Sequence, residues 1–250
     1  MLKHILAAAF LVSAALPARA QMDQATEDFV AANLIAIFYH ELAHALIDQL
    51  DIPIYGQEED AADVMSVVMV DRLFEEADAQ RIATAAAFGY LGAARIRAAS
   101  GGDVAWWDVH APDLQRYYNI VCLFFGGNPA QRTQFAKTLE LPEARARSCP
   151  EEFQKARHAW GPIIERLEAN GPAPSLWYSD EARSDRFSRL TDEVIGFEVR
   201  EFNRRMSLER DVPLPVRIGP CGFINAFYDP NVPEIIMCTE FAEYLAQFAK

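Results

Sequence analysis

The chain has 250 residues, of which 51% are hydrophobic, 11% aromatic and 24% charged, and its formal net charge is −13. This composition excludes a disordered or fibrous chain, and the negative charge argues against nucleic-acid binding. Residues 1–20 predict a secretory signal peptide, because Lys3 and His4 precede a short apolar run and Ala18-Arg19-Ala20 has the form of a cleavage site. We therefore expect an exported protein, periplasmic or secreted, whose residues 21–250 form a single domain around one core.

The predicted elements that follow are mostly helices. The first covers residues 26–50, can be capped by Thr26 or Asp28, and is apolar on almost all sides, as in a helix that is buried or crosses a membrane. A crossing would place His40, Glu41 and His44 in hydrocarbon, so we expect burial within the protein. Further helices are predicted at residues 57–77, 79–98, 112–125, 130–139, 150–170, 190–206 and 239–248.

Strand patterns are predicted only late in the chain. Residues 171–185 are rich in proline and are predicted to be a connector between a helical part, residues 26–170, and a helix with a small sheet, residues 186–250. Residues 223–228 and 234–238 flank Asp229-Pro230-Asn231-Val232-Pro233, whose residue types favour a turn. The predicted fold class is α+β, predominantly helical, with a small C-terminal sheet or hairpin.

The motif His40-Glu41-Leu42-Ala43-His44 lies midway along the first predicted helix. Residues four apart share a helix face, so both imidazoles can bind one zinc ion. Glu41 is offset by one residue and can hold a water as a general base. A pair of hydrogen-bonded core histidines is the alternative, but a metal ion satisfies both rings together. The motif predicts a zinc-dependent metallopeptidase, a hydrolase that cleaves peptide bonds with a zinc-activated water and Glu41 as the base.

A catalytic zinc needs a third protein ligand and keeps one position open. The next predicted helix opens with Glu58-Glu59-Asp60-Ala61-Ala62-Asp63. We predict Glu59 as the third ligand, with Glu58 as the fallback, and Asp63 as the acceptor of the second ring N–H of His40 or His44. The alternative is a solvated acidic first turn, which the helix dipole favours.

These segments, from His40 to Ile47 and from Glu59 to Asp63, resemble a family of bacterial metallopeptidase-like proteins of undescribed substrate. Residues 113–122, Cys221-Gly222 and residues 225–230 resemble the same family, so that the resemblance covers most of the chain. The spacing of Glu59 and Asp63 is also similar to that in thermolysin-type gluzincins. This similarity implies a zincin-like fold with His40, His44 and Glu59 as ligands, although the segment from His44 to Glu59 is shorter than in thermolysin.

The segment Asn225-Ala226-Phe227 is similar to a strand of membrane-bound zinc peptidases that trim prenylated proteins. In those enzymes the strand lines the cleft and precedes the zinc helix, whereas here it follows. The similarity implies a permuted order in which the C-terminal strands pack beside the first helix. The strand edge could then bind an extended peptide by strand addition, and a plain stabilising hairpin is the alternative.

Further catalytic groups are predicted downstream. His110 is expected to donate a hydrogen bond to the oxyanion that forms at the zinc, with Tyr117 or Arg116 as other candidates. The alternatives are a surface histidine at position 110 and a core tyrosine at position 117.

The four cysteines favour two disulfides in an exported chain. Cys221 and Cys238 are equidistant from the bond between Asp229 and Pro230, so a hairpin centred there predicts that they pair. Cys122 and Cys149 are then the remaining pair. A turn centred nearer Val232 would shift the register, and Cys221 and Cys238 would then not lie opposite each other.

The expected cofactor is Zn2+, and the expected partner is a peptide or protein substrate, with no nucleic acid and no membrane span after signal removal. Two other functions stay open. One is a metal-binding structural or interaction protein without activity, and the other is a zinc hydrolase of a non-peptide amide, such as one in a cell wall.

Overall fold

A computed structural model describes residues 22–180, 185–209 and 212–249. The predicted signal peptide lies outside these residues. In the described part, the chain folds into nine helices and a four-stranded sheet, which confirms the predominantly helical fold with a small C-terminal sheet. The elements are α1 Gln24–Gln49, α2 Glu58–Leu73, α3 Glu76–Ala99, α4 Asp113–Gly127, α5 Pro129–Thr138, α6 Glu143–Ala146, α7 Cys149–Ala169, β1 Leu176–Asp180, α8 Arg186–Arg205, β2 Leu214–Gly219, β3 Ala226–Asp229, β4 Glu234–Cys238 and α9 Thr239–Leu245.

Helix α1 is the central element of the fold. It begins earlier than predicted, because the Asp23 carboxylate, rather than Thr26 or Asp28, caps it by accepting a hydrogen bond from the Thr26 backbone N–H at 2.7 Å. By length and apolar composition α1 could cross a membrane, but 78% of its most apolar window is buried inside the fold, as in a core helix. It packs against α2, α3, α8, β3 and β4.

The connection from α1 to α2 reverses the chain. Gly56 adopts a φ of 118°, a backbone conformation that favours glycine. The first turn of α2 is thereby placed beside the turns of α1 that carry the histidine motif. Helix α2 is shorter than predicted, because the backbone becomes extended at Phe74, whose ring packs edge-on against Tyr39 with the ring centroids 6.1 Å apart.

The sheet has the order β1-β2-β4-β3. Strands β1, β2 and β4 are parallel, and β3 is antiparallel to β4 at one end of the sheet. Strand β1 lies inside the predicted connector, residues 171–185, so the connector prediction is corrected there. Strand β3 lies against α1, which is the arrangement that the predicted permuted order requires.

Two disulfides join the predicted pairs, Cys122–Cys149 and Cys221–Cys238. The register argument for the second pair is wrong, however. Asp229 is paired with Glu234, so the turn is centred between Asn231 and Val232. The pair forms because Gly219, at the end of β2, lies opposite Cys238 of β4, and the chain that leaves β2 brings Cys221 to the same place.

Candidate metal centre

The two histidines of the motif converge on the first turn of α2. The Nε2 atoms of His40 and His44 are 3.2 Å apart. Glu59 Oε2 lies 3.2 Å from Nε2 of His40 and 3.5 Å from Nε2 of His44. Three potential ligand atoms from two helices thus form a nearly equilateral triangle.

This triangle fits a metal ion. Bonds of about 2.0–2.2 Å in a tetrahedral arrangement separate the ligand atoms by about 3.3–3.6 Å, close to the three separations observed. Glu59 Oε2 is also buried, yet it accepts no hydrogen bond of proper geometry from any described residue. A buried carboxylate oxygen in this state needs a partner. His40, His44 and Glu59 could therefore hold a metal ion.

The electrostatics of the cluster favour positive charge at its centre. Burial opposes protonation of His40, but Asp63 and Glu59 together raise its pKa to about 10. Burial likewise opposes protonation of His44, and Glu59 nevertheless raises the pKa of this imidazole. The carboxylates around the two rings thus stabilise positive charge at the centre of the cluster.

Behind His40 lies a buried ionic layer. Nδ1 of His40 is 2.9 Å from Asp63 Oδ1. Arg116 donates two hydrogen bonds of 2.7 Å, one to each oxygen of Asp63, and Tyr90 donates a third at 3.3 Å. Burial opposes ionisation of Asp63, but Arg116 and His40 hold the pKa of this carboxyl well below its usual range. Asp63 is thus held in its charged form beside Nδ1 of His40, although no hydrogen bond of proper geometry joins the two groups. That Asp63 orients the His40 ring stays a prediction. Two of the three guanidinium nitrogens of Arg116 are thus used by Asp63.

Glu58 has a corresponding position behind His44. Its Oε1 atom lies 2.7 Å from Nδ1 of His44. The structure thus places Glu58 as a partner of the second imidazole, and Glu59 as the carboxylate that faces both Nε2 atoms. From the sequence, Glu58 was predicted only as a fallback ligand, and its contact with His44 was not predicted.

Glu41 lies beside the triangle on the buried side. Its side chain lines both cavities that meet at the cluster. Burial raises the pKa of Glu41, although the nearby His40 and His44 oppose this. The backbone N–H of Tyr228 on β3 donates a hydrogen bond to its carboxylate. A carboxylate with a raised pKa beside a candidate metal site is suited to receive and return a proton.

His110 reaches the outer side of the cluster from the segment between α3 and α4. Its Nε2 atom lies 3.1 Å from Glu59 Oε2, and its Nδ1 atom lies 3.0 Å from Asp108 Oδ1. Burial opposes ionisation of Glu59, but the imidazoles of His110, His40 and His44 hold its pKa well below the usual range. The structure therefore brings His110 to the centre, as the prediction requires.

Tyr117 is not brought to the centre. Its ring is buried in the core, and its hydroxyl donates a hydrogen bond of 2.8 Å to the carbonyl oxygen of Leu139. Because this donor is already used inside the fold, the catalytic role predicted for Tyr117 has no structural support. The alternative interpretation, a core tyrosine, describes its position.

The predicted substrate strand borders the same cleft. Ala226 and Phe227 belong to β3, Asn225 precedes it, and all three line a cleft of about 480 Å³ that also contains His44 and Glu59. Strand β3 is fastened to α1 by Tyr228, whose hydroxyl donates to Asp48 at 2.5 Å and accepts from Gln49 at 2.8 Å. The edge of the sheet that is formed by β3 is thus one wall of the cleft.

A comparison with protein families agrees with this geometry. A family model described as "Putative metallopeptidase" matches residues 9–164, which is more than half of the chain. The matched span contains the whole cluster and the layer behind it, but not the sheet. Comparisons with curated proteins and with solved structures found no match.

Proposed function

The chain belongs to this metallopeptidase family, and we propose that it is an exported zinc-dependent peptidase of the gluzincin type. The observation that carries the proposal is the triangle of His40 Nε2, His44 Nε2 and Glu59 Oε2, with Glu41 beside it. Catalytic zinc sites use such imidazole and carboxylate ligands and leave one position open. The two disulfides are typical of an oxidising compartment and support export.

The chain's own residues have separable roles in this mechanism. When bound, zinc supplies Lewis acidity to the scissile carbonyl and to the attacking water. Glu41 takes a proton from that water and later gives it to the leaving amine, and its raised pKa suits both transfers. His110 donates from Nε2 to the carbonyl oxygen as negative charge develops there, while Asp108 holds its ring through Nδ1.

Strand β3 supplies a surface for an extended substrate. Alternate residues of a strand direct their backbone groups to the same side. Since the N–H of Tyr228 is directed at Glu41, the backbone groups of Ala226 have the same orientation and also face the cleft. A peptide that adds to this edge would pass beside Glu41 and the three ligands.

The exchange of Glu41 for Gln tests the proposal. Loss of a general base lowers the rate by about 100-fold or more, while the zinc content of the variant should equal that of the parent protein. Cleavage of a peptide library is followed by mass spectrometry and zinc by elemental analysis, and Glu27→Gln, near the start of α1, is the matched control. Cleavage by Glu41→Gln at the parental rate would contradict the mechanism. If the parent and Glu41→Gln both contain zinc but neither cleaves any peptide, a metal-binding structural or interaction protein without activity is favoured.

A further inference from the structure

A second space opens from the metal centre into the helical part of the fold. It is a cavity of about 200 Å³ between α1, α2, α3, α4 and α9. His40, Glu41, His110, Asn225 and Ala226 line both this cavity and the cleft described above. The two spaces therefore meet at the general base and at the start of the substrate strand.

The wall that α3 contributes is made of small side chains. Ala83, Ala86 and Ala93 line the cavity and recur at the spacing of one helix face. Half of the other lining residues are aliphatic or phenylalanine, among them Phe124 and Leu245, and the polar ones include Asp113 and Arg116. An apolar cavity of about 150 Å³ is large enough to bind benzene. The present cavity can thus take a phenyl ring or a branched aliphatic side chain.

One side-chain oxygen in this wall receives no hydrogen bond from the described residues. Asn33 is 3% exposed and lines the cavity, and its Nδ2 donates to the carbonyl oxygen of Phe29 at 2.9 Å. Its Oδ1 lies against Gly89, where a Cβ would overlap it, and accepts no hydrogen bond from any residue that the structure describes. This oxygen is therefore available to accept a hydrogen bond from a ligand or a water in the cavity.

We propose that this cavity is a specificity pocket and that the protein cleaves peptide bonds next to a bulky apolar residue such as Phe, Leu or Met. The inference rests on the proposed function, because the cavity is defined as a subsite by its junction with Glu41. A peptide that lies along β3 presents alternate side chains to opposite sides. The side chain next to the bond being cut can then leave the cleft and enter the cavity, where its apolar surface is removed from water.

Filling the cavity tests the pocket against a matched neighbour. Ala93 and Ala94 are adjacent on α3 and both are half-buried, but only Ala93 lines the cavity. A peptide library first identifies the preferred residue and its side of the bond. Two peptides that differ only in Phe or Ala at that position are then compared. Ala93→Leu should lower kcat/KM for the Phe peptide by about 10-fold or more, with little change for the Ala peptide, and Ala94→Leu should change neither.

Direct binding provides a readout that does not depend on catalysis. The probe is 4-fluorotoluene, observed by ¹⁹F NMR with the parent protein and with the Ala93→Leu, Ala94→Leu and Ala86→Leu variants. Binding to the parent and to Ala94→Leu, but not to Ala93→Leu or Ala86→Leu, supports the apolar site. If the probe binds in this way and no peptide is cut, only the proposed function fails. Three results would overturn the pocket. They are cleavage without preference for a bulky apolar residue, equal effects of Ala93→Leu on both peptides, and no binding of the probe.

Discussion

Glu198 of α8 is buried against the helix that carries the histidine motif. It is 3% exposed, and its Oε2 accepts a hydrogen bond of 2.7 Å from the Tyr39 hydroxyl. Burial raises the pKa of Glu198 to about 6, and the hydrogen bond from Tyr39 offsets this only in part. We expect Glu198→Gln to stabilise the protein above neutral pH, since Gln keeps the acceptor for Tyr39 but carries no charge.

The sign and size of this effect follow from the two pKa values. The folded-state pKa is about 6 and the ordinary value is 4.5. Because the folded-state pKa is the higher one, the stabilising contribution of protonated Glu198 is complete below pH 4.5 and is lost as the pH rises through 6. The loss amounts to about 2 kcal/mol of unfolding free energy. Glu198→Gln should therefore exceed the parent by up to about 2 kcal/mol near pH 7.5 and by much less near pH 4.5.

Urea unfolding of the parent and of Glu198→Gln between about pH 4.5 and 7.5 measures the difference in their free energies of unfolding. The contributions of the other titrating groups are the same in both proteins and cancel in this difference. Glu193→Gln is the matched control, because Glu193 lies on the same helix but is exposed. Its substitution should change the free energy of unfolding by less than about 0.5 kcal/mol. A difference between parent and Glu198→Gln that does not vary with pH, or that favours the parent near neutral pH, would refute this reasoning.

Two further predictions concern the centre. Arg116→Gln should lower zinc affinity by about 10- to 100-fold and the free energy of unfolding by about 3–5 kcal/mol, because it leaves the buried Asp63 without its main partner. Zinc titration and urea unfolding check this, and parental values for both would contradict it. Zinc affinity should also rise with pH well above neutrality, because His40, with a pKa of about 10, must lose a proton before it binds. Calorimetry in buffers of different ionisation enthalpy should detect this proton release near pH 7.5, and its absence would count against ligation by His40.

The helical part of the fold could be predicted because its determinants are local. Apolar periodicity, glycines and prolines place most helices within a few residues of their observed bounds. Strand β1 could not be predicted, since Leu176–Asp180 is short and follows two prolines, and its partner β2 begins only at Leu214. The Cys221–Cys238 pair was predicted from a hairpin register that does not occur. The pairing of β2 with β4, which places these cysteines together, leaves no local pattern in the sequence.

The candidate site divides in the same way. The two imidazoles, Glu41 and Glu59 could be named because spacing along α1 and α2 places them on facing surfaces. The groups that hydrogen-bond to the site residues could not be predicted from spacing, because these groups come from distant parts of the chain. Arg116 lies 53 residues from Asp63. The Tyr228 N–H that donates a hydrogen bond to Glu41 belongs to the sheet. Tyr117 was misassigned because only packing decides whether a tyrosine in α4 faces the core or the cleft.

The central claim is that His40, His44 and Glu59 hold one zinc ion, and zinc stoichiometry in a pair of adjacent variants tests it most directly. Glu58 and Glu59 are neighbours in the first turn of α2, but only Glu59 faces both Nε2 atoms. After dialysis against zinc and then zinc-free buffer, the parent and Glu58→Ala should retain one zinc per chain by elemental analysis, whereas Glu59→Ala should lose it. Equal zinc in the two variants, or no zinc in the parent, would contradict the account.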